Sequence, residues 1–386
     1  MSKPKNFDGA VISAAVEIPY RRRPEGVTTG GLLAQAVAKA LAQLGLRASD
    51  VDGLGVASFT LAPDHAIDLA WRLGISPRWT MDDCHGGASG INLLQHAVRA
   101  VQSGDASVVV LVAGDHFGPG DFAQLTENYN ATTRKYLRPL NFSGPNAVFA
   151  MLTSRHMQRH GLARHDYAEI AVAQRAWASG NPEAVYRAPL TLDDYLGAPV
   201  VAEPLCRFDC VPVVSGANAI VVMASDDRRT PLNGVRVTAL EARHNPDHQQ
   251  ADGLTTGLAN VAGRLWETAG FGPDEVDVVS VYDDYPAMVL IQLADLGFAP
   301  SGDIRDLIER ITGRKLAVNT SGGQLSAGQA GAAGGMHGLV EAIRQLRGEA
   351  AGRQIEGARS AVVSGYGMVE YRYGMCANAV VMERIQ

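Results

Sequence analysis

Short β-branched runs alternate with Ala- and Leu-rich stretches of helical period along most of the chain. Ile91, Leu94, Val98 and Val101 fall on one face of a helix. Ser103-Gly104 ends that pattern, and the aliphatic run Val108 to Ala113 follows as a strand leading into Gly114. An earlier unit reads the same way. Thr28-Thr29-Gly30 opens an Ala/Leu-rich helix that reaches Leu44-Gly45-Leu46, and a short acidic turn then leads to a strand around Gly53 to Val56.

The second half repeats this order. Thr255-Thr256-Gly257 opens a stretch that reaches Ala269-Gly270-Phe271, then Asp274-Glu275-Val276-Asp277 and the strand Val278 to Val281. Gly45 and Gly270 stand 225 residues apart, as do Asp52 and Asp277. Later, Gly322-Gly323 precedes a helix over Leu339 to Leu346, a stop at Gly348, and the strand Ala361 to Val363 leading into Gly365. Ala97-Val98-Arg99 matches Ala342-Ile343-Arg344 at an offset of 245. The pattern predicts an internal duplication of helix, strand and glycine loop. The division falls into residues 1–228 and 229–386. A helix- and loop-rich insertion at about 117–204 in the first half is placed to cover a substrate site.

Composition narrows the function classes. The 386 residues carry 34 Lys and Arg against 40 Asp and Glu, a net charge of −6, which argues against a nucleic-acid partner. Glycine is abundant, at 42 residues, and aromatic residues are only 6%. No apolar run approaches the roughly 20 residues that span a bilayer, and no secretory leader is visible. Cys84, Cys206, Cys210 and Cys376 form no C-x-x-C pair. The expectation is a cytoplasmic protein with reduced thiols and no metal. His156 and His160, four apart, read as a solvated helix face rather than as ligands.

Several loops together resemble the thiolase superfamily. Gly86-Gly87-Ala88-Ser89-Gly90 resembles its nucleophile loop, and Val281-Tyr282-Asp283-Asp284-Tyr285 is similar to its Asn-Glu-Ala-Phe loop. The run Asn319 to Gln329 resembles the loop that carries the Gly-His-Pro histidine, and Ser364-Gly-Tyr-Gly-Met368 stands where thiolases have Cys-x-Gly. Cys206 to Cys210, followed by Ser215-Gly-Ala-Asn-Ala219, resembles the sterol-carrier group. The resemblance implies an α/β thiolase-like fold: two duplicated mixed-sheet halves in α-β-α-β-α layers, with the insertion in the first.

The departures from that pattern are chemical. Gly87 stands at the nucleophilic cysteine position, Gln329 at the histidine, and Ser364 or Gly365 near the second cysteine. Thiolase chemistry through those cysteines is therefore not expected. The combination resembles thiolase-like steroid side-chain aldolases, once called lipid-transfer proteins. That implies retro-aldol cleavage of a β-hydroxyacyl-CoA thioester to a ketone or aldehyde plus acetyl- or propionyl-CoA, in steroid, terpenoid or aromatic catabolism, without a bound cofactor. It also implies a homodimer and a small zinc-ribbon/OB-fold protein partner. On that resemblance Tyr366 is the expected base, and Tyr282 its partner or an oxyanion donor. Backbone donors are expected at Gly87, Gly323 and Gly367. Asp283 is either a loop-orienting acid or a buried structural one, and His116 edges the pocket. Two other readings stand beside it: a non-catalytic acyl-CoA or lipid binder, and an acyltransferase using Cys84, which otherwise reads as a buried structural thiol.

Overall fold

The computed structural model describes residues 5–63, 65–142, 144–246, 252–370 and 373–385. Among these residues eleven strands are formed: β1 (Ala10–Arg21), β2 (Gly53–Ala57), β3 (Trp79–Asp83), β4 (Val108–Asp115), β5 (Val200–Ala202), β6 (Leu205–Cys206), β7 (Ser215–Ala224), β8 (Val235–His244), β9 (Val278–Ser280), β10 (Ser360–Glu370) and β11 (Tyr373–Arg384). Nine of them lie in the order β3-β2-β4-β7-β1-β8-β11-β10-β9, and β5 pairs with β6 alone. A single register pair, Ile12 with Val235, joins β1 to β8.

On either side of that pair the pattern repeats. In the first half β3-β2 and β2-β4 are parallel, while β4-β7 and β7-β1 are antiparallel. In the second, a parallel bridge from Val318 to Val279 stands for β3-β2. There β9-β10 is parallel, and β10-β11 and β11-β8 are antiparallel. The repeat reaches single atoms. The Asp52 carboxylate accepts the amides of Ser107 and Val108, both at 2.8 Å, at the start of β4. Asp277 accepts those of Arg359 and Ser360, at 2.8 and 3.0 Å, at the start of β10. Gly45 and Gly270 both close their helices in the left-handed conformation that favours glycine.

The Ser89–Ser103 and Gly334–Arg347 helices pack against each other and against both half-sheets, forming the central layer. The Thr29–Leu44 helix covers the first half-sheet, and Ala262–Ala269 covers the second. The second central helix starts at Gly334, five residues before its hydrophobic pattern suggests. Its glycine turn is Gly331 to Gly335, the counterpart of Gly86 to Gly90 at the same offset of 245, and not Gly322-Gly323. Glycines depress helix propensity, yet here they let two helix starts meet. A Cβ on Gly90 would overlap the Gly335 carbonyl.

A buried polar chain links the halves. His337 Nδ1 lies 2.7 Å from Glu17 on β1, and its Nε2 lies 2.8 Å from Ser321 Oγ. Burial opposes both charges, but their mutual attraction outweighs it: the His337 pKa is raised and that of Glu17 lowered. The His337 contribution is complete below its ordinary 6.5 and lost as pH rises through the raised value. That of Glu17 is complete above 4.5 and lost as pH falls through the lowered value. Glu17→Gln is therefore expected to destabilise the fold by about 3–5 kcal/mol near pH 6, because it strands a buried cation. Denaturant titration at pH 6 and 9 checks this, with the smaller loss at pH 9.

Candidate active site

The insertion, the β9-to-helix loop and the β10 edge enclose a cleft of about 380 Å³. Phe122, Leu125, Leu137 and Val148 of the insertion give it an apolar wall, while Tyr129, Tyr282, Asp284 and Gln329 supply polar groups. That mixture suits a largely apolar ligand held by a few polar contacts.

Tyr282 and Gly87 explain each other. A Cβ at Gly87 would overlap the Tyr282 ring and the Tyr366 carbonyl oxygen. The space where a nucleophilic side chain would stand is filled by a phenol. Its hydroxyl accepts a hydrogen bond from Gln329 Nε2 at 2.8 Å, so the residue at the histidine position serves to hold Tyr282. Burial, then the neighbouring Asp284, raises the Tyr282 pKa well above its ordinary value, so the phenol stays protonated as a donor. Gly87 itself sits in the first turn of a helix, where amides lack intrahelical acceptors.

The two adjacent acids divide their roles. Asp283 points away from the cleft. It accepts the amides of Gln324 at 2.9 Å and Leu325 at 3.3 Å, together with Gln174 Nε2 at 3.0 Å. Burial lifts its pKa to about 6 and those amides pull it back, so it works as the loop-orienting acid. Asp284 faces the cleft. Burial, then the charge of Asp283, pushes its pKa well above the carboxylate range. Among the described residues its Oδ1 is buried without a hydrogen-bond partner. A desolvated, under-bonded carboxyl in a cleft is a poised proton acceptor. Tyr285, next in sequence, donates to Asn146 Oδ1 at 2.7 Å and stacks on Phe149 at 4.3 Å between ring centroids.

Tyr366 contributes to the cleft wall, but its hydroxyl accepts the Gly374 amide in the β10-β11 hairpin. Gly367 lines the cleft, packed on the His85 carbonyl. Gly323 is outside the lining and donates its amide to Ser321 Oγ at 3.1 Å. His116 is also outside, with Nδ1 3.0 Å from Ser215 Oγ. Cys84 is exposed rather than buried, because it follows β3 at the sheet edge, and it does not line the cleft. Cys210 does, but burial lifts its thiol pKa to about 12, which leaves little thiolate at neutral pH. His156 is not solvated. It is 1% exposed, 2.8 Å from the Tyr167 hydroxyl, and burial drops its pKa to about 3. Among the described residues no group of three His, Cys, Asp or Glu is placed to hold a metal, and no helix is long and apolar enough to cross a membrane.

Asp284 and Tyr129 are the site residues that sequence reasoning passed over. The paired acids between Tyr282 and Tyr285 were a signal for the first, once each is asked where its carboxylate finds partners. Tyr129 sits in an insertion without strong periodicity and carries no such signal.

Comparison with known proteins agrees with this fold. Residues 239–378 match the family model "Thiolase C-terminal domain-like". The chain is 35% identical over 339 residues to a 17-hydroxy-3-oxo-4-pregnene-20-carboxyl-CoA lyase of Mycobacterium tuberculosis, covering 82% of this chain and 86% of the relative. It is 29% identical to a steroid side-chain-cleaving aldolase of Thermomonospora curvata, covering 93% and 96%. Among solved structures, an Ltp2-ChsH2(DUF35) aldolase superposes with a TM-score of 0.83 at 26% identity, covering 98% of each chain. The chain belongs to the thiolase superfamily, in the sterol-carrier-like branch of steroid side-chain aldolases.

Proposed function

We propose that this protein is a carbon–carbon lyase that cleaves a steroid β-hydroxyacyl-CoA by retro-aldol chemistry, as its lyase and aldolase relatives are named for doing. The observation that carries the reading is the Tyr282 ring lying where a thiolase nucleophile would project, beside a buried carboxyl with an unpartnered oxygen. Asp284 takes the proton of the β-hydroxyl. The Cα–Cβ bond breaks, the β-carbon becomes a ketone, and the electron pair passes to a thioester enolate. The Tyr282 hydroxyl and the Gly87 amide donate to the enolate oxygen. No covalent enzyme intermediate is required, so none of the four cysteines is needed.

The substrate brings the CoA, and the chain supplies no cofactor to the reaction. A DUF35 protein is the proposed partner, by likeness to the Ltp2-ChsH2(DUF35) aldolase, on a homodimeric core. The test offers the protein, with a DUF35 partner, two substrates: a steroid β-hydroxyacyl-CoA, and the matching β-ketoacyl-CoA plus free CoA. Release of ketone from the first and no thiolysis of the second is expected, unchanged in Cys84→Ala. Thiolysis that Cys84→Ala abolishes would favour the acyltransferase reading, and binding of both without turnover would favour the lipid binder.

A further inference from the structure

The lyase chemistry leaves one proton without a source. When Cα–Cβ breaks, the enolate carbon must be protonated before acyl-CoA is released. Three phenols feel the charge of Asp284: Tyr282, Tyr285 and Tyr129. Tyr285 spends its proton on Asn146. Tyr282 stands against Gly87 and is assigned to the enolate oxygen. Tyr129 comes from the insertion and lies over Gly86, its hydroxyl 3.2 Å from where a Cβ would stand on that glycine.

The position of Tyr129 is built. Its hydroxyl and the backbone N of Met368 lie against the same glycine, Gly86, and that N–H favours the phenolate form. Met368 holds a left-handed backbone, φ 56°, inside β10, a conformation that costs a non-glycine residue about 1–2 kcal/mol. The next residue repeats the tie: Asn130 Nδ2 donates to the Val369 carbonyl at 2.7 Å. Two consecutive insertion residues are thus pinned to two consecutive residues of β10, at the wall of the cleft.

We propose that Tyr129 is a further catalytic residue, the acid that protonates the α-carbon of the departing enolate. This rests on the lyase reading. The balance closes within the site. The β-hydroxyl proton goes to Asp284, the Tyr129 proton goes to Cα, and protonated Asp284 restores the phenol. The Met368 N–H stabilises the transient phenolate. Burial, then Asp284, lifts the Tyr129 pKa to about 12, so the phenol is protonated when the enolate forms.

The experiment compares wild type, Asp284→Asn and Tyr129→Phe, each with the DUF35 partner. The substrate is a 17-hydroxysteroid whose C20 bears a methyl group and the CoA thioester. In D2O, wild type is expected to release propionyl-CoA with one deuterium on a single face of C2. Tyr129→Phe keeps the ring that fills the cleft wall; it is expected to lose about 100-fold in kcat with little change in KM and to give deuterium on both faces. A second readout needs no cleavage: wild type should exchange one of the two C2 protons of propionyl-CoA in D2O, and Tyr129→Phe should not. Wild-type kcat and single-face labelling in Tyr129→Phe, while Asp284→Asn is inactive, would overturn this inference and leave the lyase standing. Slow but single-face product would also overturn it, because Tyr129 would then only position other groups. A wild type that forms no ketone would overturn the lyase reading and this inference with it.

Discussion

Asp284→Asn is expected to lose about 10²–10⁴-fold in kcat while making the protein more stable. The amide keeps the shape of the carboxyl and cannot accept the β-hydroxyl proton. In wild type the proposed base acts only when ionised, so kcat/KM should fall as pH drops through the raised Asp284 pKa. That acidic limb lies above the ordinary carboxylate range and should vanish in the variant. The stability effect has the opposite sign. A folded-state pKa above the unfolded value means a contribution complete below the ordinary 3.8 and lost as pH rises through the raised value. Replacing Asp284 removes a charge that the fold holds poorly. The gain should be about 1–3 kcal/mol at alkaline pH and shrink toward acid pH. Thermal melts across pH, beside pH–rate profiles, check both signs. A loss of stability would mean that Asp284 is a structural acid like its neighbour.

Gly87→Ala is expected to lower activity by about 10²-fold and stability by about 1–3 kcal/mol. The new methyl group overlaps the Tyr282 ring and the Tyr366 carbonyl, and the strand backbone of Tyr366 yields less readily than a side chain. Tyr282 would have to swing off Gln329, taking the proposed oxyanion donor with it. Gly87→Cys meets the same obstruction and should not restore thiolase activity. The diagnostic is the double variant. Tyr282→Ala removes the ring and leaves only the Tyr366 carbonyl in the way, so Gly87→Ala should cost less stability in that background, with a coupling of about 0.5–3 kcal/mol. Denaturant titration of the four proteins measures it; strict additivity would mean that the two residues do not contest one volume.

Much of the fold was legible because local signals repeat. Gly45 and Gly270, and Asp52 and Asp277, carry the same hydrogen-bonding tasks in both halves, and a duplicated task leaves a duplicated residue. The start of the second central helix was not legible. Gly334, Gly335 and Gly338 look like loop in sequence, and only the packing of two helices explains them. The site was legible by position and not by orientation. Gly87, Tyr282 and Gln329 meet although β3 and β9 stand at opposite ends of the sheet order, because the two central helix starts pack together and bring the loops of both halves to one place. Which of Asp283 and Asp284 faces the cleft depends on the amides of Gln324 and Leu325, about 40 residues downstream. Tyr366 shows the same limit: its place in the chain put it at the centre, and the hairpin turned its hydroxyl to Gly374.

The central claim is carbon–carbon cleavage with no acyl-enzyme. The most direct test is a single turnover of the protein and its DUF35 partner on the steroid β-hydroxyacyl-CoA, with no free CoA, quenched for product analysis and intact mass. The account predicts ketone and short acyl-CoA in equal amounts from a chain of unchanged mass. An acyl adduct on the chain, or cleavage that waits for added CoA, would contradict it.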